Sequence, residues 1–169
     1  MLILGGARSG KSGFAEQVVM ESGLEPVYVA TARAGDAEME ERIAEHRMRR
    51  NSCWRTIEEP DALEKALAMQ AQAGRALLVD CLTLWLSNLL LAGADIAARA
   101  SALRDAVRAA PGLLVLVSNE VGLGLVPDNA LGRRFRDAQG RLNQDVAAIA
   151  DSVVFLAAGL PLHLKGAPQ

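Results

Sequence analysis

Four apolar residues, Met1 to Leu4, run directly into Gly5, Gly6, Ala7, Arg8, Ser9, Gly10, Lys11 and Ser12. The run fits G-x-x-x-x-G-K-[ST], and that pattern dictates local geometry before the rest of the chain is considered. Glycines let the backbone curl so that successive N–H groups point inward at phosphate oxygens. The residues that follow must begin a helix, whose N-terminus adds its dipole to the attraction for an anion. A chain with this feature must therefore contain a strand–loop–helix unit that holds a phosphate at the carboxyl end of the strand. There Lys11 reaches the outer phosphates and Ser12 offers a hydroxyl to Mg²⁺. A glycine-rich turn of no function is the competing reading, and the complete motif in its required context argues against it.

The rest of the chain alternates in a way that suits such a unit. Apolar runs at 1–4, 26–31, 76–81, 112–120 and 152–157 read as strands, with 54–59 as a short edge strand and 160–164 as a last short one. Helical patterns fall between them, at about 11–21, 37–50, from Pro60-Asp61 to Gln72, and at 82–91, 96–109 and 130–150. Strands that are apolar on both faces and separated by helices imply a mostly parallel sheet covered on both sides. The polar residues gather at the carboxyl ends of these strands: the Gly loop, Thr31, Asp80 and Asn119-Glu120. That edge is where open α/β sheets bind ligands.

The bulk numbers are permissive. At 169 residues and 51% hydrophobic, the chain suits a single domain, 1–169, with one sizeable core. A formal charge of −2 gives no broad attraction to nucleic acid or an anionic membrane. The most apolar stretch, 78–93, contains Asp80 and Ser87-Asn88 and is too short and too polar to span a bilayer. No signal-peptide pattern opens the sequence. Cys53 and Cys81 have neither metal-site spacing nor a histidine cluster, and reduced thiols in a cytoplasm fit them best.

Three further features invite a chemical reading beside a plain one. Asp80 ends an apolar strand and could hold Mg²⁺ from a neighbouring strand, or could cap the helix that starts near Leu82. In 41–50, Arg42, His46, Arg49 and Arg50 share one helical face. Three cations keep an imidazole neutral, and a neutral imidazole is a nucleophile beside arginines that offset a polyphosphate. Taken alone, though, the segment reads better as a solvated helix laced by Glu38–Arg42 and Glu45–Arg49 pairs. The loop 119–129 is either functional or a connector. The arginines 133, 134, 136 and 141 suit an anionic substrate, an adjoining subunit or a solvated face equally. Trp54 and Trp85 suit the core, and His163 reads as an outward-facing strand residue. Nothing so far separates a two-activity enzyme from a single-activity small-molecule kinase or a noncatalytic nucleotide switch.

The order of the motifs supplies more. GGARSGKS, ERIAEHRMRR, CWRTIEEP, LLVDCLTLWLSNLL, SNEVGLGLVPDNALGRRFRDAQGRLNQ and AGLPLHLKG together resemble the bifunctional adenosylcobinamide kinase/adenosylcobinamide-phosphate guanylyltransferase family over nearly the whole chain. The block at 118–144 is far more specific than the phosphate loop. The resemblance implies a RecA-like P-loop NTPase fold with about seven strands, helices on both faces, and assembly as a trimer with active sites near subunit boundaries. It implies phosphorylation of adenosylcobinamide by ATP or GTP, then transfer of GMP from GTP to adenosylcobinamide phosphate through a GMP–histidine intermediate. His46, the only histidine in the matching motif, inherits that role. Nucleotide contacts are implied from residues 5–12, from Ala30, Thr31 and Ala32, from Arg47, Met48, Arg49 and Arg50, from Glu58, and from Asp80, with Mg²⁺ at Ser12 and Asp80.

Overall fold

The computed structural model describes residues 1–35, 41, 44 and 52–166. Its strands are β1 (Leu2–Gly5), β2 (Glu25–Ala30), β3 (Arg55–Glu58), β4 (Arg75–Asp80), β5 (Leu113–Asn119), β6 (Val153–Ala157) and β7 (Leu160–Lys165). Its helices are α1 (Lys11–Glu21), α2 (Leu63–Gln70), α3 (Leu82–Leu91), α4 (Ile96–Ala109) and α5 (Ala130–Ile149). The helix expected over 37–50 lies outside the described residues apart from positions 41 and 44.

All seven strands enter one sheet, in the order β3-β2-β4-β5-β1-β6-β7. Every pairing is parallel except β6 with β7, which is antiparallel. The apolar runs are continuous because each strand feeds two cores through the period-2 alternation of side chains. Leu2, Leu4, Val27, Val29, Leu77, Val79 and Leu116 point to one face, where Leu63 and Leu67 of α2, Trp85 and Leu86 of α3, Leu103 of α4 and Leu142 and Val146 of α5 meet them. Ile3, Tyr28, Leu78, Val115, Val117, Val154 and Leu156 point to the other, against Ala15 and Val19 of α1. The helices therefore cover both faces, unevenly among the described residues.

Trp85 is fully buried, as expected, and its Nε1 donates to the Asp61 carbonyl at 2.8 Å. Trp54 stands edge-on to Tyr28, with ring centroids 6.2 Å apart at 83°. His163 departs from expectation. It is half-buried, while Leu160, Leu162 and Leu164 around it are exposed. Its register partner is Val154, on the face that α1 covers, so the alternation is real but inverted. The helix expected from Pro60 starts later, at Leu63, because Glu59 Oε1 accepts from the Asp61 and Ala62 amides and holds a turn there.

Candidate active site

The phosphate-loop residues 5–12 fold as one tight turn between β1 and α1. Gly5 has φ 154° and Gly10 has φ 97°. A Cβ on Gly5 would lie 2.4 Å from the Leu156 carbonyl oxygen, and one on Gly10 would lie 3.2 Å from Gly159 Cα. Both positions thus need glycine for conformation and for space. The Gly159 amide donates to the Ser9 carbonyl at 3.0 Å, so the β6–β7 turn braces the loop from outside. Arg8, at φ 54°, holds a left-handed conformation that costs an ordinary residue about 1–2 kcal/mol.

The start of α1 is open to an anion. Asp95 caps α4 by accepting from Ala98 N, and Asn129 caps α5 by accepting from Gly132 N; the N-cap of α1 is Gly10, with no side-chain cap. Its first amides are left for a ligand. Lys11 is 7% exposed, and its Nζ donates to the Gly6 carbonyl at 2.5 Å and to Ser9 Oγ at 3.4 Å. Burial pulls this ammonium below its ordinary pKa, with the nearby Cys81 and Asp80 opposing. A desolvated cation folded back into the loop is one that an incoming phosphate would satisfy better than a carbonyl does.

Across the sheet, Ala30 is in register with Glu58 on one side and Asp80 on the other. The three expected nucleotide-contact positions therefore stand level at the carboxyl edge. Asp80 Oδ2 accepts from the Tyr28 hydroxyl at 3.1 Å, and the N-cap of α3 is Cys81, not Asp80. Contrary to the expectation from the sequence, Asp80 is not on the strand next to the phosphate loop. β5 lies between β4 and β1. Burial first, and then the Asp80 carboxylate, push the Cys81 thiol up to about 12, so it stays protonated. Cys81 is buried and Cys53 exposed.

Thr31 is completely buried and acts as a tie. Its Oγ1 donates to the Cys81 carbonyl at 2.7 Å and accepts from the Cys81 amide at 2.8 Å, while its own amide donates to the Asp80 carbonyl at 3.3 Å. Asn88 Nδ2 donates to the Thr31 carbonyl at 2.9 Å and the Pro60 carbonyl at 3.0 Å. Ala32 lies just beyond, half-buried. His46, Arg42, Arg47, Met48, Arg49 and Arg50 lie outside the described residues.

Sequence reasoning missed the polar groups that set this edge. Thr83 Oγ1 accepts from the Asn119 amide at 2.8 Å. Below it, Ser118 Oγ donates to Asn143 Oδ1 at 2.7 Å, Gln139 Nε2 donates to Ser118 Oγ and to Asn143 Oδ1 at 2.9 Å each, and Asn143 Nδ2 donates to the Asn119 carbonyl at 3.1 Å. Gln139 Oε1 is buried with no hydrogen-bond partner. The usable signal was Gln139 and Asn143 at i, i+4 on the otherwise apolar face of α5.

Ser12 and Asp80 are hard oxygen donors, and no group of three or more His, Cys, Asp or Glu gathers among the described residues. Few protein ligands plus substrate phosphates is the arrangement that suits Mg²⁺. No helix among the described residues is long and apolar enough to cross a membrane.

A strand, phosphate loop and open helix start, on a parallel sheet with one strand inserted before Asp80, define a P-loop nucleotide-binding protein. The ADP-bound P4 protein of bacteriophage phi6 shares this fold, with TM-score 0.50 and 19% identity, over 95% of this chain and 51% of that one. The model of the cobinamide kinase/cobinamide phosphate guanyltransferase family matches residues 1–164, and the chain belongs to that family. It is 55% identical over 169 residues to the bifunctional adenosylcobalamin biosynthesis protein CobP of Pseudomonas aeruginosa, covering 99% of this chain and 98% of that one. It is 37% identical to the CobU protein of the same description from Escherichia coli K12, covering 98% and 99%. The chain is thus a cobinamide kinase and cobinamide phosphate guanylyltransferase, and the single-activity kinase and the noncatalytic switch are set aside.

Proposed function

We propose that one nucleotide site at the carboxyl edge of the sheet serves both reactions, with Lys11 common to them and His46 confined to the second. The observation that carries this reading is the buried Lys11 ammonium held inside a phosphate loop whose helix start is uncapped. In the first reaction the aminopropanol hydroxyl of adenosylcobinamide attacks the γ-phosphorus of ATP or GTP. The bond to the bridging oxygen breaks, the nucleoside diphosphate leaves, and the hydroxyl proton is released. Catalysis here is positioning and charge neutralisation, which the loop amides and Lys11 supply. Ser12 and Asp80 would hold Mg²⁺, which supplies charge neutralisation on the phosphates when bound.

In the second reaction a ring nitrogen of His46 attacks the α-phosphorus of GTP and pyrophosphate leaves. A phosphate oxygen of adenosylcobinamide phosphate then displaces the histidine, giving adenosylcobinamide-GDP. A covalent histidine divides one difficult displacement into two. Arg47, Arg49 and Arg50 would offset the triphosphate charge, with Met48 beside them, while Ala30, Thr31, Ala32 and Glu58 line the base or ribose end. The assembly that fits is a cytoplasmic homotrimer. The outer edge strand β7, with Leu160, Leu162 and Leu164 exposed, supports a second copy covering it.

The test is His46→Ala assayed separately for each reaction and by mass spectrometry after GTP treatment. Phosphorylation should survive, guanylyl transfer should fall by about 10³-fold or more, and the GMP-sized adduct should vanish. An adduct that persists in the variant removes His46 from the mechanism.

A further inference from the structure

The loop between β5 and α5 is built unlike a connector. Its first residue is tied to the phosphate loop, where the Glu120 amide donates to the Gly5 carbonyl at 3.0 Å. Glu120 Oε1 then accepts from the Gly122 amide at 2.7 Å, and Arg136 Nη2 donates to the Gly122 carbonyl at 3.1 Å. Arg133 Nη1 donates to the Pro127 and Asp128 carbonyls at 3.1 and 2.8 Å. Two of the four arginines in this stretch are thus used to fix the loop backbone. Between those anchors the side chains turn outward: Leu123 is 81% exposed, Leu125 96% and Val126 65%. Large apolar side chains facing solvent from a backbone held at both ends are the kind of exposed apolar surface that marks an interaction site.

We propose that Leu123, Leu125 and Val126 form the docking surface for the corrin macrocycle of the acceptor. The surface begins one hydrogen bond from Gly5, beside the phosphates that the acceptor's hydroxyl must reach. The acceptor is a broad macrocycle whose rim carries methyl groups between its amide arms, and its hydroxyl stands at the end of one flexible arm. An apolar shelf next to the phosphate loop holds the ring while the arm spans the gap, which converts ring binding into alignment of the reacting oxygen. The nucleotide has no large apolar group to place there.

The inference rests on the cobinamide activity, so wild-type turnover of adenosylcobinamide is measured alongside. Leu125→Ser and Val126→Ser remove exposed side chains and leave the core intact. Each should raise KM for adenosylcobinamide about tenfold, as expected for losing one apolar contact, with KM for GTP, the mass of the assembly in solution and melting temperature unchanged. Leu125→Met should behave as wild type. An unchanged corrinoid KM, an equal rise in KM for GTP, or a fall in the mass of the assembly in solution would each overturn the assignment, the last by giving the surface to a second copy. Absence of turnover in the wild type would sink the activity and the docking surface together.

Discussion

Asn143→Ala perturbs the buried polar network of Ser118, Gln139 and Asn143 beneath the site, and its cost follows from the bonds it breaks. Asn143 Oδ1 accepts from Ser118 Oγ and Gln139 Nε2, and Nδ2 donates to the Asn119 carbonyl. Each net hydrogen bond contributes about 1 kcal/mol, and a buried group left unpaired costs about 1–3 kcal/mol. Ser118 and the Asn119 carbonyl lose partners, whereas Gln139 Nε2 keeps Ser118 Oγ. The expected loss is about 3–5 kcal/mol, a large share of the roughly 5–15 kcal/mol that holds a domain folded. Ser118→Ala breaks less and should cost about 1–2 kcal/mol, with about 1 kcal/mol of coupling to Asn143 in a double-mutant cycle. The Arg108–Asp105 pair, exposed at 3.6 Å, serves as the reference, and Arg108→Ala should move stability by no more than about 0.5 kcal/mol. Urea unfolding at constant m-value reads all of these. A loss below about 1 kcal/mol for Asn143→Ala, or strict additivity with Ser118→Ala, would refute the network as a source of stability.

Lys11→Met should reduce phosphorylation by about 100-fold or more. Because burial lowers the folded-state pKa of Lys11, the unfolded chain binds more protons between that value and the ordinary 10.5, so wild-type stability should rise with pH toward 10.5. Urea midpoints at neutral and alkaline pH should show a shallower rise in Lys11→Met, and identical slopes would refute the desolvation argument. Sedimentation should give three chains for the wild type and one for Leu162→Lys, whereas a wild-type monomer would remove the trimer.

What the sequence made legible was mostly local, the turn that Glu59 holds before α2 and the Gln139–Asn143 pair excepted. The phosphate loop, the doubly apolar strands and the helix starts near Ile96 and Ala130 each depend on residues within a few positions of one another, and all are found. Strand order is different, because nothing in the composition of β5 says that it lies between β1 and β4. Asp80 was accordingly expected one strand too close to the loop. Thr31 was legible as a residue of the ligand-binding edge but not as a tie, because its partners Cys81 and Asn88 are 50 and 57 residues away. His163 shows the same limit within a single strand. Alternation separates two faces, but which face is covered depends on α1, which packs from the far end of the chain.

The topology also divides the two chemistries. β2 and β3 are adjacent and parallel, so the chain from Thr31 to Trp54 must leave the carboxyl edge and return to the amino edge, and His46 lies on that connection. Both ends of the connection are fixed to groups that touch β4. Thr31 bonds the Cys81 backbone, and Trp54 packs on Tyr28, whose hydroxyl donates to Asp80. In the proposed mechanism, phosphoryl transfer uses the loop, Lys11 and Asp80, all of which belong to the sheet edge itself. Guanylyl transfer, in the same proposed mechanism, needs in addition the His46 nucleophile, which this connection carries. A substitution that loosens an anchor, such as Asn88→Ala, should therefore weaken the second reaction more than the first. Equal losses in both would mean that the anchors serve the sheet edge alone.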